Sequence, residues 1–263
     1  MTDVVLQDVR RQVCEAQERW KRTNEKDPVP FVTLTYAQSI DGSLTAERGK
    51  PTLLSGPASM KMTHTLRTIH DGILVGVGTV LADNPSLNSR LVKGTNPQPI
   101  IIDTHLRCPM DIKLFTLPTC AKPIILYGLG SQDPEILGRK QALEAVGARI
   151  FECRTVRGDD GRDHVDMIDA FRVAKQNGIN SIMVEGGAAI LTSCLQEAAQ
   201  RHFIDLVVVT VAPTFIGGLR AVSGLLAPSS ATPSPPASTF PRLQQPHYHV
   251  LGEDLVILGR LDH

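Results

Sequence analysis

The sequence predicts an α/β protein with a mostly parallel central sheet, helices on both faces and an antiparallel pair at the C-terminal edge. Three observations predict it. Short continuous apolar runs recur: "GILVGV" from Gly72, "PIIID" from Pro99, "PIILY" from Pro123 and "IDLVVVTVAP" from Ile204. Runs of that length suit strands covered on both faces. Stretches of helical period lie between them, and strand alternating with helix is the pattern of a parallel sheet. The final "HYHVLGEDLVILG" reads as two strands joined at Gly252-Glu253-Asp254, which suits an edge hairpin.

The elements follow in order. Val5, Val9, Val13, Ala16 and Trp20 recur at spacings of four and three, so the chain opens on an amphipathic helix ending near residue 27, with Thr2 as N-cap. "FVTLTYA" (Phe31 to Ala37) is β-branched and aromatic, hence a strand. "SIDGSLTAERGK" is a polar, turn-rich loop. Ser55 and Pro57 start a helix that places Met62, Leu66 and Ile69 on one side. In "DPEILGRKQALEAVG", Asp133 is the N-cap, Pro134 the first helical residue and Gly147 the stop. "ARIFEC" is a strand and "DMIDAFRVAKQNG" a helix stopped by Gly178. "SIMVEGGAAILTSCLQEA" is strand, tight turn, helix. The segment 227–242 is rich in Pro, Ser and Thr and has no period. It is read as a mobile surface insertion within a single domain spanning 1–263.

Composition excludes several classes of function. Lys plus Arg equals Asp plus Glu at 27 each, so no basic face recommends nucleic acid as a partner. The five cysteines are widely spaced with no C-x-x-C, which argues against a disulfide framework and against a zinc site. A reducing, cytoplasmic compartment fits them better. The N-terminus lacks the apolar core of a signal peptide, and no apolar run is long enough to span a membrane. No Gly-x-Ser-x-Gly, Walker A loop or H-x-E with P-C-x-x-C is present. His247 and His249 share one face of a predicted strand with no third ligand nearby, and are read as structural. No metal is expected.

Chemistry gathers where strands end, since open α/β sheets bind ligands at the carboxyl ends of their strands. "GVGTVLADNPSLNSR" (Gly76 to Arg90) follows a strand. Gly76 and Gly78 turn the backbone and admit a ligand closely, Thr79 offers a hydroxyl near a helix start, and Asp83 can accept ribose or carboxamide hydrogen bonds. Taken alone, a Gly-x-Gly fits an ordinary strand-to-helix turn equally well, and no third glycine completes a dinucleotide fingerprint. In "VEGGAAIL", Glu185 sits at a strand tip and Gly186-Gly187 lead into a helix whose amides could meet a phosphate. Because a carboxylate repels phosphate, Glu185 is expected to point the other way, toward substrate hydroxyls. Asp41 in "SIDG" either makes a turn or serves the site. Arg67 and Arg90 are candidate clamps for an anion.

The order "TYAQSIDGSL", a helix ending in Arg67, "DGILVGVGTVLADNPSLNSR", "PIIIDT" and "IMVEGGAAIL" closely resembles the riboflavin-pathway pyrimidine reductases, from about Phe31 to the last strand. The combined "GxGTxxxDNPxLxxR" and "EGG" elements carry the resemblance. It implies a dihydrofolate-reductase-like fold, NADPH as cofactor, a homodimer and a phosphorylated sugar substrate whose ribosyl group is reduced to ribityl. With no deaminase domain ahead of it, the chain resembles the stand-alone form found in fungi and archaea, and the Pro/Ser-rich segment fits the fungal type.

By the same resemblance, Thr79, Asp83, Thr104 and the turn Gly186, Gly187, Ala188, Ala189 and Ile190 contact the cofactor. Arg67, Leu87, Arg90 and Glu185 line the substrate site, with the two arginines holding the sugar phosphate. The expected chemistry is hydride addition to C1′ of the ring-opened imine. Ring opening needs a proton, and Asp41 and Glu185 are the carboxylates nominated for that work or for holding sugar hydroxyls. A cation at the adenosine 2′-phosphate would mark NADPH, and Arg107, Arg154 and Arg157 follow predicted strands. The alternatives are a dihydrofolate reductase, which needs no sugar-phosphate clamp, and a non-catalytic nicotinamide-nucleotide-binding protein.

Overall fold

The computed structural model describes residues 2–24, 28–50, 52–128, 134–158, 161–198, 201–222 and 240–261. The chain opens with α1 (Thr2–Thr23), β1 (Phe31–Ser39), β2 (Ser43–Thr45), α2 (Pro57–Arg67), β3 (Gly72–Gly76) and α3 (Val77–Asp83). It continues through β4 (Gln98–Ile102), α4 (Lys113–Thr116), β5 (Ile124–Gly128), α5 (Pro134–Ala145), β6 (Arg149–Cys153), β7 (Thr155–Arg157), β8 (Asp163–Val165) and α6 (Met167–Gln176). The last elements are β9 (Ser181–Gly186), α7 (Ala188–Ala198), β10 (Leu206–Ala212), β11 (Leu219–Arg220), β12 (Leu243–Leu251) and β13 (Asp254–Leu261).

Nine strands form one sheet in the order β12-β13-β10-β1-β9-β3-β4-β5-β6. All neighbours from β10 to β6 run parallel, and β13 and β12 close the other edge antiparallel, as the apolar runs and the terminal hairpin predict. β4 and β5 read as unbroken aliphatic runs because side chains on both of their faces are buried. Ile100, Ile102, Ile124 and Leu126 meet α6 and α7 on one face through Phe171, Leu191 and Cys194. Ile101, Ile125 and Tyr127 meet α3, α4 and α5 on the other through Val80, Leu114 and Leu143. Toward β10 and β13 that second face is covered by α1 and α2, where Val9, Val13, Trp20, Met62 and Leu66 pack on Phe31, Met183, Val208 and Val256.

Local signals act largely as expected. Pro134 is the first residue of α5, Asp166 caps α6 by accepting from Ile168 N and Asp169 N, and Gly147 and Gly178 follow their helices with φ of +101° and +87°. Two starts differ. The α1 helix already includes Thr2, where an N-cap was expected. The cap of α2 is Gly56, not Ser55; its N–H donates to Asp254 Oδ2 at 2.9 Å, so a residue in the last hairpin replaces a local side-chain cap. Two small ribbons are added to the expected elements: β2, inside the expected polar loop, pairs with β11, and β7 pairs with β8. Asp133, the end of the opening helix at 25–27 and all of the Pro/Ser-rich segment except 240–242 lie outside the described residues. Among the described residues no helix is long and apolar enough to cross a membrane.

The strand order sets the position of the site. β3 and β9 are neighbours, yet the chain leaves them in opposite senses: α3 leads toward β4 on one face, and α7 leads toward β10 on the other. A crevice opens beyond the carboxyl ends of two such strands.

Candidate active site

Thr79 and Gly187 meet at this crevice. The Thr79 hydroxyl donates to Gly186 O at 3.3 Å, and a Cβ placed on Gly187 would lie 2.6 Å from Thr79 Oγ1. Gly186 and Gly187 have φ of +74° and +88°, a pair of left-handed residues that only glycine adopts without strain. A Cβ on Gly186 would strike Leu191 at 2.8 Å, and one on Gly76 would strike Ile190 at 2.8 Å. Gly78 differs, since nothing lies within 4 Å of a Cβ there. The two glycine turns therefore interlock at Gly76, Gly186 and Gly187 and leave an open approach at Gly78.

The other predicted cofactor residues surround this junction or continue it along the sheet. Asp83 ends α3; the residue is exposed at its surface, and partial desolvation raises its pKa. Ala188, Ala189 and Ile190 form the first turn of α7. Thr104 lies one strand further on, where its carbonyl accepts from Gly128 N at 3.1 Å. Beyond it, His105, Arg107 and Arg139 line one cavity together with Glu135. Each arginine considered for the 2′-phosphate has an acidic partner, Arg107 with Asp103 at 3.9 Å, Arg154 with Asp169 at 3.7 Å and Arg157 with Asp163 at 3.1 Å.

Glu185 lies on the opposite side of its strand. Ile182 and Val184 face α6 and α7, while Met183 faces α2, so alternation sends Glu185 toward α2. The ladder helps to aim it. Leu74 pairs with Val184 but Val75 pairs with Gly186, which leaves Glu185 as the extra residue of a β-bulge. Its carboxylate is gripped by the last residue of α2: Arg67 Nε and Nη2 donate to Oε1 and Oε2, each at 2.6 Å, and Nη1 donates to Asn88 O at 2.8 Å. Burial alone would lower the pKa of the guanidinium; the Glu185 charge and hydrogen bonds outweigh it and hold Arg67 above its ordinary value. Arg67 thus has its charge already matched by Glu185, rather than standing as a free phosphate clamp. Arg90 is exposed nearby, and Leu87 is buried with a left-handed φ of +48°.

Asp41 organises a loop. Its carboxylate accepts from Ser39 Oγ at 2.6 Å, Ser43 Oγ at 2.9 Å, Ile216 N at 3.0 Å and Gly217 N at 2.7 Å. These donors, the Ser39 hydroxyl first, hold it well below the usual carboxylate range. An anion bound by donors on every side has no proton to give near neutral pH, so the proton-donor role considered for Asp41 does not fit its surroundings.

Sequence reasoning missed His64. It is fully buried on α2, and neither ring nitrogen makes a well-formed hydrogen bond, with only the Asn88 backbone acting on the ring as an acceptor among the described residues. No motif marks it. Its signal is three-dimensional, as the charges acting on it belong to Arg67, Arg90 and Glu185.

With the geometry in view, the comparisons are informative. Residues 30–257 match the family described as the RibD C-terminal domain. The chain is 36% identical over 201 residues to the 2,5-diamino-6-ribosylamino-4(3H)-pyrimidinone 5′-phosphate reductase of Saccharomyces cerevisiae, covering 73% of this chain and 76% of that one. It is 34% identical to the protein of that name from Schizosaccharomyces pombe, over 69% and 74% of the two chains. Its structure is similar to that of the Saccharomyces cerevisiae riboflavin biosynthesis reductase Rib7, with a TM-score of 0.67 and 30% identity over 97% of this chain and 100% of the other. The fold also matches Acinetobacter baumannii RibD, with a TM-score of 0.71 at 20% identity over 92% and 63% of the two chains. A shared fold, a match through most of the chain and relatives above 30% identity lead to one assignment: this chain belongs to the RibD C-terminal domain family.

Proposed function

We propose that the protein is an NADPH-dependent reductase that converts the ribosyl group of 2,5-diamino-6-ribosylamino-4(3H)-pyrimidinone 5′-phosphate to ribityl in riboflavin biosynthesis. The junction of Thr79 with Gly186 and Gly187, beside the Arg67–Glu185 pair, carries this reading. It supplies a tight backbone cradle on one side and a charged sugar-binding wall on the other.

The residues present fit a nicotinamide dinucleotide. Gly78 leaves open space, the Gly186-Gly187 turn presents backbone without side chains, and α7 begins immediately after it. Thr79, Asp83, Thr104 and Gly186 to Ile190 would hold it, and when bound it supplies the hydride that C1′ of the ring-opened substrate receives. Arg107 is the favoured partner for a 2′-phosphate, since it lines a cavity with Arg139 and its ion pair, with Asp103 at 3.9 Å, is the longest of the three arginines'.

The chain's own contribution is alignment. Glu185 is fixed by two bonds from Arg67, yet each of its oxygens keeps a lone-pair site for a sugar hydroxyl. Leu87 packs beside the substrate, and Arg90 offers its guanidinium to the sugar phosphate. Asp41 is a positioning residue that ties the Ser39–Ser43 turn to Ile216 and Gly217. Fixing the two reactants side by side lowers the barrier by about 7–11 kcal/mol in favourable cases. We also propose a homodimer, on the strength of the family resemblance.

The test is to incubate protein, NADPH and the riboside phosphate, follow absorbance at the nicotinamide band and weigh the product. Oxidation of NADPH coupled to a product two hydrogens heavier is expected, with dihydrofolate inert. NADPH left untouched by the riboside phosphate would remove this reading and favour a non-catalytic nucleotide binder. Equal efficiency with NADH would remove the 2′-phosphate assignment alone.

A further inference from the structure

His64 lies three residues before Arg67 on the same helix, out of water; neither ring nitrogen makes a well-formed hydrogen bond, and the Asn88 backbone is the acceptor that acts on the ring. The Asn88 side-chain oxygen is buried and unmatched as well, on the residue whose carbonyl receives Arg67. Buried polar groups left unpaired are costly, and two around one ion pair make a hydrogen-bond network that is incomplete without something further.

The charges around the ring define what is missing. Arg67 of α2, Arg90 of the loop after α3, Glu185 of β9 and the Asn88 backbone act on the imidazole. Arg67 and Glu185 cancel, which leaves Arg90 as the uncompensated cation among these groups to face a phosphate monoester, which carries about −1.5 to −2 charges near pH 7. Burial and the two guanidiniums hold the ring neutral, with its pKa pushed down to about 4. An arriving dianion reverses the balance, and the imidazole is the group nearby that can gain a positive charge by taking up a proton.

We propose that His64 is the proton-accepting member of the phosphate site: a phosphate monoester seated at Arg90 is matched by a proton taken up on the His64 imidazole. The protonated ring has two N–H donors, and the Asn88 side-chain oxygen is an unfilled acceptor for one of them. Substrate binding is thereby linked to uptake of a proton from solvent. The proposal rests on the sugar-phosphate reading of this cleft and adds how its charge is balanced.

Ribose 5-phosphate is a sufficient probe, so the test needs neither cofactor nor turnover. Nitrogen-15 spectra of histidine-labelled protein at pH 6.5 should show the His64 ring neutral when free and as imidazolium when saturated. Calorimetry in two buffers of different ionisation enthalpy should show proton uptake that falls by most of a proton in His64→Gln, with affinity at least 10-fold weaker. Should that variant not fold, the wild-type spectrum still decides. A His64 ring that stays neutral in the complex overturns the proposal and leaves the reductase reading standing, since that reading is judged by NADPH oxidation. Failure of ribose 5-phosphate to bind overturns it as well.

Discussion

Arg67 and Glu185, 118 residues apart in sequence, meet in two parallel 2.6 Å hydrogen bonds at side-chain exposures of 12% and 15%. The pair joins the end of α2 to the bulge of β9, and Nη1 of the same guanidinium holds the Asn88 carbonyl. One planar cation thereby joins three segments, the end of α2, the bulge of β9 and the loop after α3.

Glu185→Gln should lose both stability and turnover. It leaves a largely buried guanidinium without its counter-charge, which in comparable pairs costs about 3–5 kcal/mol. Arg67→Lys keeps the charge but not the fork, and should recover less than half of the wild-type value. Denaturant midpoints of the two single variants and the double variant give the coupling directly. Coupling near zero would mean that the pair does not hold these segments together.

Gly187→Ala should be folded but weak in cofactor binding. The added Cβ must displace the Thr79 hydroxyl from 2.6 Å at a φ of +88°, which costs about 1–3 kcal/mol in strain. Adding Thr79→Ala should recover part of the stability by clearing the clash, but not the affinity, because the hydroxyl is gone. Thermal melts with and without NADPH separate the two effects.

Asp41→Asn exchanges an acceptor of four hydrogen bonds for a side chain with a single acceptor oxygen, and its amide group must face one of the donors. Faster hydrogen exchange at the Ile216 and Gly217 amides is expected, together with a raised KM. Because the folded pKa lies below the ordinary carboxylate value near 3.8, the contribution of Asp41 is present above that value and is lost as pH falls through the folded one. The variant should therefore show a shallower loss of stability in acid.

Glu197 on α7 supplies a dependence of opposite sign. Burial first, and Asp166 second, push its carboxyl up to about 7 against backbone hydrogen bonds from Met167 and Ile168. The folded chain thus holds a proton that the unfolded chain releases between about pH 4.5 and 7, so the contribution is complete below this window and lost as pH rises through it. Glu197→Gln should flatten that slope and raise stability at pH 8 by at most about 3 kcal/mol. Unfolding curves at pH 5.5 and 8 check it; equal slopes in the two proteins would rule the carboxyl out as the cause.

The main-sheet strands and the two glycine turns could be expected from sequence, because short aliphatic runs and glycines are local signals, whereas the meeting of Thr79 with Gly187 was implied only by the family resemblance. The bulge at Glu185 could not be expected, since it is created by the pairing of Leu74 and Val75 with residues more than a hundred positions away. The sequence suggested Arg67 as a phosphate clamp because a lone arginine carries no sign of its partner. Ser55 resembled a cap by the usual rule, but the job passed to Asp254 from the far end of the chain. The ribbons β2–β11 and β7–β8 are only two or three residues per strand, too short for a period to register. His64 escaped notice because what distinguishes it is a lack of well-formed hydrogen bonds.

The bond from Gly56 N to Asp254 Oδ2 gives the terminal hairpin a mechanical hold on α2. The α2 helix is moored at its start by that hairpin and delivers Arg67 at its end, whereas Thr79 and Gly187 hang directly from β3 and β9. Damage to the final strands, by truncation or by a fused tag that prises them away, should therefore produce a lopsided enzyme, able to grip its dinucleotide and unable to seat its sugar.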